Sequence, residues 1–255
     1  MSTLSKYIDV LGLFSEKNRA WTVPAMANAL GTSPSTLYRR VRELVDAGLL
    51  DHESDAAYQL GGAFIKFERL AQMNDPLLKM GAPILRKLVE KVDIPCVALL
   101  CRIYGNDIIC VVDDASVVAD VHPELGRGRP VPVTRGAPAK AILAHLPPKQ
   151  RSSVLSHVSN VLGAPKSPRG LAFEAALADV RKQGIAIGRD EIMPDLVEFA
   201  APVTSRPLGI QASLALLINA HDFMASKERR LIAAVVMSAS ALSHFLGGPA
   251  VTGVA

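Results

Sequence analysis

Residues 23–60 constrain this 255-residue chain more tightly than any other stretch. Val23-Pro24-Ala25-Met26-Ala27-Asn28-Ala29-Leu30 places a proline in the first turn of a short helix, where its missing N–H costs nothing. Gly31 supplies the break that a tight helix-to-helix turn needs. Ser33-Pro34 restarts a helix with serine at the N-cap and proline just inside. Gly48 ends it, and the run to Tyr58-Gln59-Leu60 reads as two short strands around the polar turn Asp51-His52-Glu53-Ser54-Asp55. The order is that of a winged helix-turn-helix, which lays its second helix in the major groove of DNA.

The second helix is two-sided. Leu37, Val41, Leu44 and Val45 form an apolar stripe, and at about 100° per residue Ser35, Arg39 and Arg42 centre on the opposite face with Thr36 on its flank. The expected DNA-contacting set is Ser33, Ser35, Thr36, Tyr38, Arg39, Arg40 and Arg42. Residues near the helix start point into the groove, so Ser35, Thr36 and Arg39 are placed to read base edges, with Arg39 the candidate for a guanine N7/O6 pair. Arg40 and Arg42 suit phosphates. Charge gives no independent support: residues 1–60 hold six Lys and Arg against seven Asp and Glu, and the whole chain carries +4. A non-specific architectural binder would be broadly basic, and this count argues against one.

At 49% hydrophobic residues the chain can bury substantial cores, and its length suits two unequal domains. Leu4, Ile8, Leu11 and Phe14 suggest a first helix; Gly61-Gly62 marks a joint; Phe64, Phe67 and Leu70 suggest a connecting helix that ends before Asp75-Pro76. The expected division is a DNA-binding domain at 1–61, a linker helix at 62–75 and a second domain at 76–248. That second domain opens with a helix over 77–92 whose inward residues are Leu78, Leu85, Leu88 and Val92. The runs 96–102 and 108–113 form a hairpin through Tyr104-Gly105-Asn106-Asp107, and Val117–Val121 suggests a third strand. Helices over 137–146, 148–158, 169–183 and 225–246 surround strands near 185–188, 199–203 and 210–218, an α+β pattern.

Catalytic and metal chemistry find no support. There is no G-x-S-x-G elbow, no H-E-x-x-H, and Gly126-Arg127-Gly128 lacks the Lys-Ser/Thr of a phosphate loop. Adjacent carboxylates, Asp113-Asp114 and Asp190-Glu191, point to opposite faces of a strand. Three cysteines without C-x-x-C spacing read as buried free thiols in a reducing compartment. No signal-peptide core opens the chain, and the uncharged segment 231–246 is short for a span and carries Ser238, Ser240, Ser243 and His244. The expected location is cytoplasmic, without membrane, metal or cofactor. Lys140 reads as a solvent-facing lysine, and Arg127, Arg129 and Arg135 as either a pocket rim or a solvated loop.

Taken together, the chain resembles the IclR family of bacterial transcriptional regulators. The resemblance is carried by Pro24-Ala25-Met26-Ala27, Ser35-Thr36-Leu37-Tyr38-Arg39, Gly48-Leu49-Leu50 and Tyr58-Gln59-Leu60-Gly61. Further along it rests on Pro132, Ala139-Lys140-Ala141-Ile142-Leu143-Ala144, Arg181, Gly184, Asp190-Glu191, Ala200-Ala201-Pro202-Val203 and Ala212-Ser213-Leu214. It implies an α+β architecture: an N-terminal winged helix-turn-helix, a linker helix and a C-terminal GAF-like domain. It also implies operator DNA and a small-molecule effector as partners, assembly as a homodimer or dimer of dimers, and an effector that is a catabolic intermediate such as an organic or aromatic acid. The implied effector-binding residues are Val131, Gly136, Ala137, Gly188, Glu198, Ser213 and Ala215, with Pro138 in the same turn. Thr134 and Ala139 replace a histidine and a glycine common in relatives, and Pro138, Gly188 and Ala215 offer no side-chain donor or, for proline, no N–H. Glu198 is expected to repel an anion unless it is protonated or paired, which makes a neutral, amine-bearing or hydroxylated ligand as suitable as an acid. The competing reading is a bifunctional enzyme with a regulatory DNA-binding head, which no catalytic set supports.

Overall fold

The structure is a computed structural model that describes residues 3–54, 56–105, 107–116, 126–163 and 167–247. It divides into two compact units, Met1–Asp75 and Pro76–Ala255. The first holds α1 (Thr3–Leu11), β1 (Trp21–Thr22), α2 (Val23–Ala29), α3 (Pro34–Asp46), β2 (Leu50–His52), β3 (Ala57–Leu60) and α4 (Ala63–Asn74).

Thr22 caps α2 by accepting from the Ala25 N–H at 3.3 Å, with Pro24 in the first turn. Gly31 turns the chain at φ +59°, a conformation that L side chains adopt rarely, and so delivers α3 across α2. Val23, Met26, Leu37, Val41, Leu44 and Leu50 close the core around Val10. The hairpin of β2 and β3 gains a third strand, because Trp21-Thr22 pairs antiparallel with Ala57-Tyr58. Both helices expected from apolar spacing form, α1 and α4, and most of their large apolar residues face outward. In α1 it is Val10 that is buried, whereas Leu4 and Ile8 are 70% and 56% exposed. In α4 no residue is buried, and Phe64, Phe67 and Leu70 face outward. α1 thus packs Val10, with Tyr7 and Leu11, into the core while Leu4 and Ile8 face outward, and α4 buries none of its own residues.

Gly61 is not a flexible joint. It is buried, donates to the Leu49 carbonyl at 2.9 Å, and lies so close to the backbone of Gly48 that a Cβ there would sit 2.3 Å from the Gly48 oxygen.

The second unit is a six-stranded antiparallel sheet between two helical layers. Its strands are β4 (Val97–Tyr104), β5 (Asp107–Ala115), β6 (Pro130–Pro132), β7 (Ala186–Arg189), β8 (Leu196–Ser205) and β9 (Ile210–Asn219), in the order β6-β5-β4-β9-β8-β7. Helices α5 (Pro76–Lys91) and α10 (Glu228–Phe245) cover one face; α6 (Gly136–His145) and α9 (Pro168–Gln183) lie over the other, followed in layer by α7 (Pro148–His157) and the short α8 (Ser159–Leu162). Sheathing on both sides explains why β8 and β9 are apolar almost without interruption. The inward residue at the start of α5 is Leu77 rather than Leu78. The strand expected at Val117–Val121 lies outside the described residues. No described helix is long and apolar enough to cross a membrane.

Candidate DNA-reading face and effector cavity

Ser33 holds the start of α3. Its hydroxyl accepts from the Thr36 N–H at 3.4 Å and donates to Thr36 Oγ1 at 2.9 Å. Ser33→Ala is expected to cost the N-terminal unit about 1 kcal/mol. Urea unfolding followed by the fluorescence of Trp21, the sole tryptophan, reports on that unit and checks the value.

From this cap α3 presents two faces. Leu37, Val41 and Leu44 are sealed in the core, while Ser35, Tyr38, Arg39 and Arg42 are exposed and Thr36 and Arg40 half-exposed. Beside the exposed face lies a hollow of about 520 Å³ against the hairpin, lined by Tyr38, Arg39, Arg42, Val45, Asp46, His52 and Tyr58. The rings of His52 and Tyr58 pack at 4.7 Å and stiffen the hairpin wall. On the helix's other side the Tyr7 hydroxyl donates to Glu43, tying α1 to α3, and this carboxylate raises the tyrosine pKa. All seven residues expected to contact DNA lie on α3 or its cap with polar groups reachable from solvent.

The second site is built around the start of α6. Gly136 opens that helix at φ +82°, and the next N–H, of Ala137, donates to Glu198 Oε2 at 2.7 Å. Glu198 Oε1 accepts from the Ile192 N–H at 3.2 Å. The carboxyl group is fully buried, in a cradle that glycine leaves open: a Cβ on Gly136 or Gly188 would stand 2.9 or 3.0 Å from Oε2. Repulsion of an anion by Glu198 is expected unless the carboxyl is protonated or paired, and here backbone donors hold both oxygens. The reading of Lys140 is corrected: its ammonium is largely buried and pairs with Glu191. Arg135 donates to the carbonyls of Glu191 and Ile192 at 3.0 and 3.3 Å, which straps the β7–β8 loop onto α6.

Burial pushes the Glu198 pKa above its ordinary 4.5, opposed by the N–H bonds of Ala137 and Ile192 and by Lys140, and reinforced by Glu191. The folded state therefore holds the proton more tightly than the unfolded chain. This group's contribution is most favourable below pH 4.5, declines as pH rises through the raised value, and is constant above it. Subtracting the stability profile of Glu198→Gln from that of the native protein between pH 4 and 8 should isolate this decline. A difference flat across that range would contradict it.

Ile192, whose N–H holds the Glu198 carboxyl, also borders a small, mostly apolar cavity of about 20 Å³, lined with it by Leu99, Cys101, Ile108, Cys110, Arg129, Val131, Arg135, Pro138 and Ala139. That volume holds about one water, so a larger ligand must displace its walls. Cys101 and Cys110 are direct partners across β4 and β5, beside a bulge at Leu100/Cys101. The hydrogen bond to Cys110, with burial, lifts the Cys101 thiol well above its usual range, and burial raises Cys96 to about 11. All three cysteines are free and buried, and the thiol form of Cys96 and Cys101 is the unreactive one. Ser213, opposite Cys101 on β9, is fully buried, and its hydroxyl has no hydrogen-bond partner among the described residues.

Of the expected effector residues, Val131 lines this cavity; Gly136, Ala137 and Gly188 enclose the Glu198 carboxyl; Ser213 and Ala215 lie on the sheet face beneath α6. Sequence reasoning missed Leu99, Cys101, Ile108 and Cys110, although period-two alternation along β4 and β5 puts these on one face. Among the described residues no group of three or more His, Cys, Asp or Glu could hold a metal.

Comparison with known proteins falls on the same two units. The family model for the IclR helix-turn-helix domain matches residues 3–54, and that for the bacterial transcriptional regulator IclR C-terminal domain matches residues 71–244. The chain is similar to the HTH-type transcriptional regulator KipR of Bacillus subtilis, 25% identical over 84% of each chain. A candidate IclR regulator from Silicibacter sp. TM1040 superposes with a TM-score of 0.81 at 20% identity, covering 98% of both chains. An IclR homologue from Microbacterium hydrocarbonoxydans, solved with 4-hydroxybenzoate, gives 0.77 at 19% identity over 96% of this chain and 99% of that one.

Proposed function

The chain belongs to the IclR family of bacterial transcriptional regulators, and from that premise we propose how it reads DNA and what its C-terminal unit senses. It is a transcriptional regulator with a helix-turn-helix DNA-binding domain and a C-terminal effector-binding domain. The exposed face of α3 enters the major groove: Ser35, Thr36 and Arg39 meet base edges, while Arg40, Arg42, Ser33 and Tyr38 engage the backbone. The observation that carries this is the division of α3, with Leu37 and Val41 sealed at 0% and 1% exposure and its arginine side open.

The effector is a compact catabolic intermediate that enters the cavity beside α6, with Ser213 as the buried hydroxyl awaiting a partner. The 4-hydroxybenzoate held by the Microbacterium relative supports this size class. Effector binding changes operator affinity only as far as it favours one arrangement of the protein over another. The protein acts by binding and not by turnover, and the three free cysteines suit the reducing cytoplasm.

We place the subunit contact of a homodimer on the apolar surfaces of α1 and α4, where Leu4, Ile8, Ile65, Phe67 and Met73 are 50–76% exposed. Such patches on soluble proteins mark association sites. Ile65→Glu with Phe67→Glu should shift the protein toward monomer in sedimentation equilibrium and weaken operator binding. An unchanged mass would remove this interface.

Selection of binding sites from random duplex DNA tests the main reading. Enrichment of a two-fold symmetric site, with half-sites one helical turn or a multiple apart, is the expected result. Recovery of unenriched sequence would overturn it.

A further inference from the structure

Cys101 and Cys110 stand directly opposite each other on antiparallel β4 and β5, beside the bulge at Leu100/Cys101. Both belong to the sheet face beneath α6, and both line the cavity of about 20 Å³. Opposed residues of an antiparallel pair hold their Cα atoms about 4.5–5.5 Å apart, inside the roughly 4.4–6.8 Å that a disulfide spans. The two thiols are already hydrogen-bonded, so their sulfurs need only a short movement to join. Cys96 cannot take part, because it packs in the core on the other face of the sheet, with α5 and α10. A metal ion is disfavoured at the pair: Arg129 and Arg135 bring cations to the same lining, and no third His, Cys, Asp or Glu joins the two among the described residues. Sulfur–sulfur chemistry remains.

We propose that Cys101 and Cys110 form an oxidative modification site, a dithiol that hydrogen peroxide converts to an intramolecular disulfide within the folded protein. The cavity is the space through which an oxidant meets the sulfurs, and it holds about one water. Hydrogen peroxide is the oxidant nearest to that size, whereas glutathione disulfide is far too large. Cys101 keeps its proton firmly, which assigns the first attack to Cys110 and slows chance oxidation. The Cys110 sulfur bonds to one peroxide oxygen, the O–O bond breaks, and the departing hydroxide leaves as water with the thiol proton. The Cys101 sulfur then attacks the sulfenic acid; the S–S bond forms as the S–O bond breaks, and the hydroxyl leaves with the Cys101 proton as a second water. Two thiols lose two electrons and two protons, and one peroxide becomes two waters. In a reducing compartment such a bond is transient. Because both residues wall the cavity, the bond reshapes it, whether or not an effector uses the same space.

The test exposes the folded, full-length protein to excess hydrogen peroxide or to glutathione disulfide at equal molarity. Each sample is then unfolded in guanidinium with N-ethylmaleimide and weighed intact. Peroxide should lower the number of alkylated cysteines from three to one, and dithiothreitol added before alkylation should restore all three. Fragmentation of the tryptic peptides should join Cys101 to Cys110 and find Cys96 alkylated. Glutathione disulfide should leave three alkylated cysteines. Cys96→Ser should still form the bond and Cys101→Ser should not; the peptide map of the native protein decides alone if that second variant does not fold. Three thiols surviving peroxide, a bond that includes Cys96, sulfinic or sulfonic acid without a bond, or equal oxidation by glutathione disulfide would each overturn the proposal.

Discussion

Arg39→Ala lowers affinity for the selected operator by about 1–3 kcal/mol, roughly 5- to 150-fold, and relaxes the base preference at one position of each half-site. The expectation follows from where the side chain starts. Arg39 lies six residues, under two turns, from the Ser33 cap, on the exposed face, with Leu37 and Val41 fixing the rotation of the helix beneath it. A guanidinium at that place can meet guanine N7 and O6 with two parallel bonds, which no other base pair offers in the same geometry. Arg42→Ala provides the contrast: if it holds a phosphate, its loss weakens all sequences alike and shallows the salt dependence by about one counterion. Anisotropy titrations against operator and scrambled duplex at several salt concentrations separate the two.

Gly61→Ala unfolds the N-terminal unit more readily than any surface change near DNA. The added Cβ would stand 2.3 Å from the Gly48 oxygen and 3.0 Å from the Leu50 carbonyl carbon, and backbone atoms cannot rotate aside as a side-chain tip can. Relief requires breaking the bonds that close the hairpin onto the end of α3, Gly61 N–H to Leu49 and Ala63 N–H to Gly48, at 2.9 and 3.0 Å. The expected cost is about 3 kcal/mol or more, in the range of severe overpacking. Gly62→Ala is the control: nothing lies within 4 Å of its Cβ and φ is −64°, so the change is expected to be neutral or stabilising by about 0.4–1 kcal/mol. Trp21 fluorescence in urea measures both, and equal midpoints for the two variants would refute the account of this contact.

The contrast between those glycines shows what sequence reasoning could and could not reach. Both looked like a joint, since adjacent glycines carry no record of which one another backbone approaches. The polarity of α3 was legible because it is set by local periodicity, Leu37, Val41 and Leu44 against Ser35, Arg39 and Arg42. The same rule found α1 from Leu4 and Ile8 but not that they face outward, since periodicity cannot tell a core from a partner. Strand β1 escaped notice because two residues are too few to alternate. The seat of Glu198 and the Lys140–Glu191 pair join positions 61 and 51 residues apart, so their chemistry existed in no single window of the chain. Resemblance to relatives drew attention to Gly136, Gly188 and Glu198, but not to the carboxyl being held within the protein itself.

A double-mutant cycle between Arg39 and the operator tests the reading of α3 most directly. Native protein and Arg39→Ala are titrated against the operator and against duplexes in which each guanine in turn is replaced by 7-deazaguanine, which lacks the N7 acceptor. At one guanine per half-site the two losses should fail to add, with a coupling of about 1 kcal/mol or more. Strict additivity at every guanine would mean that Arg39 touches none of them, and that the open face of α3 does not read the DNA.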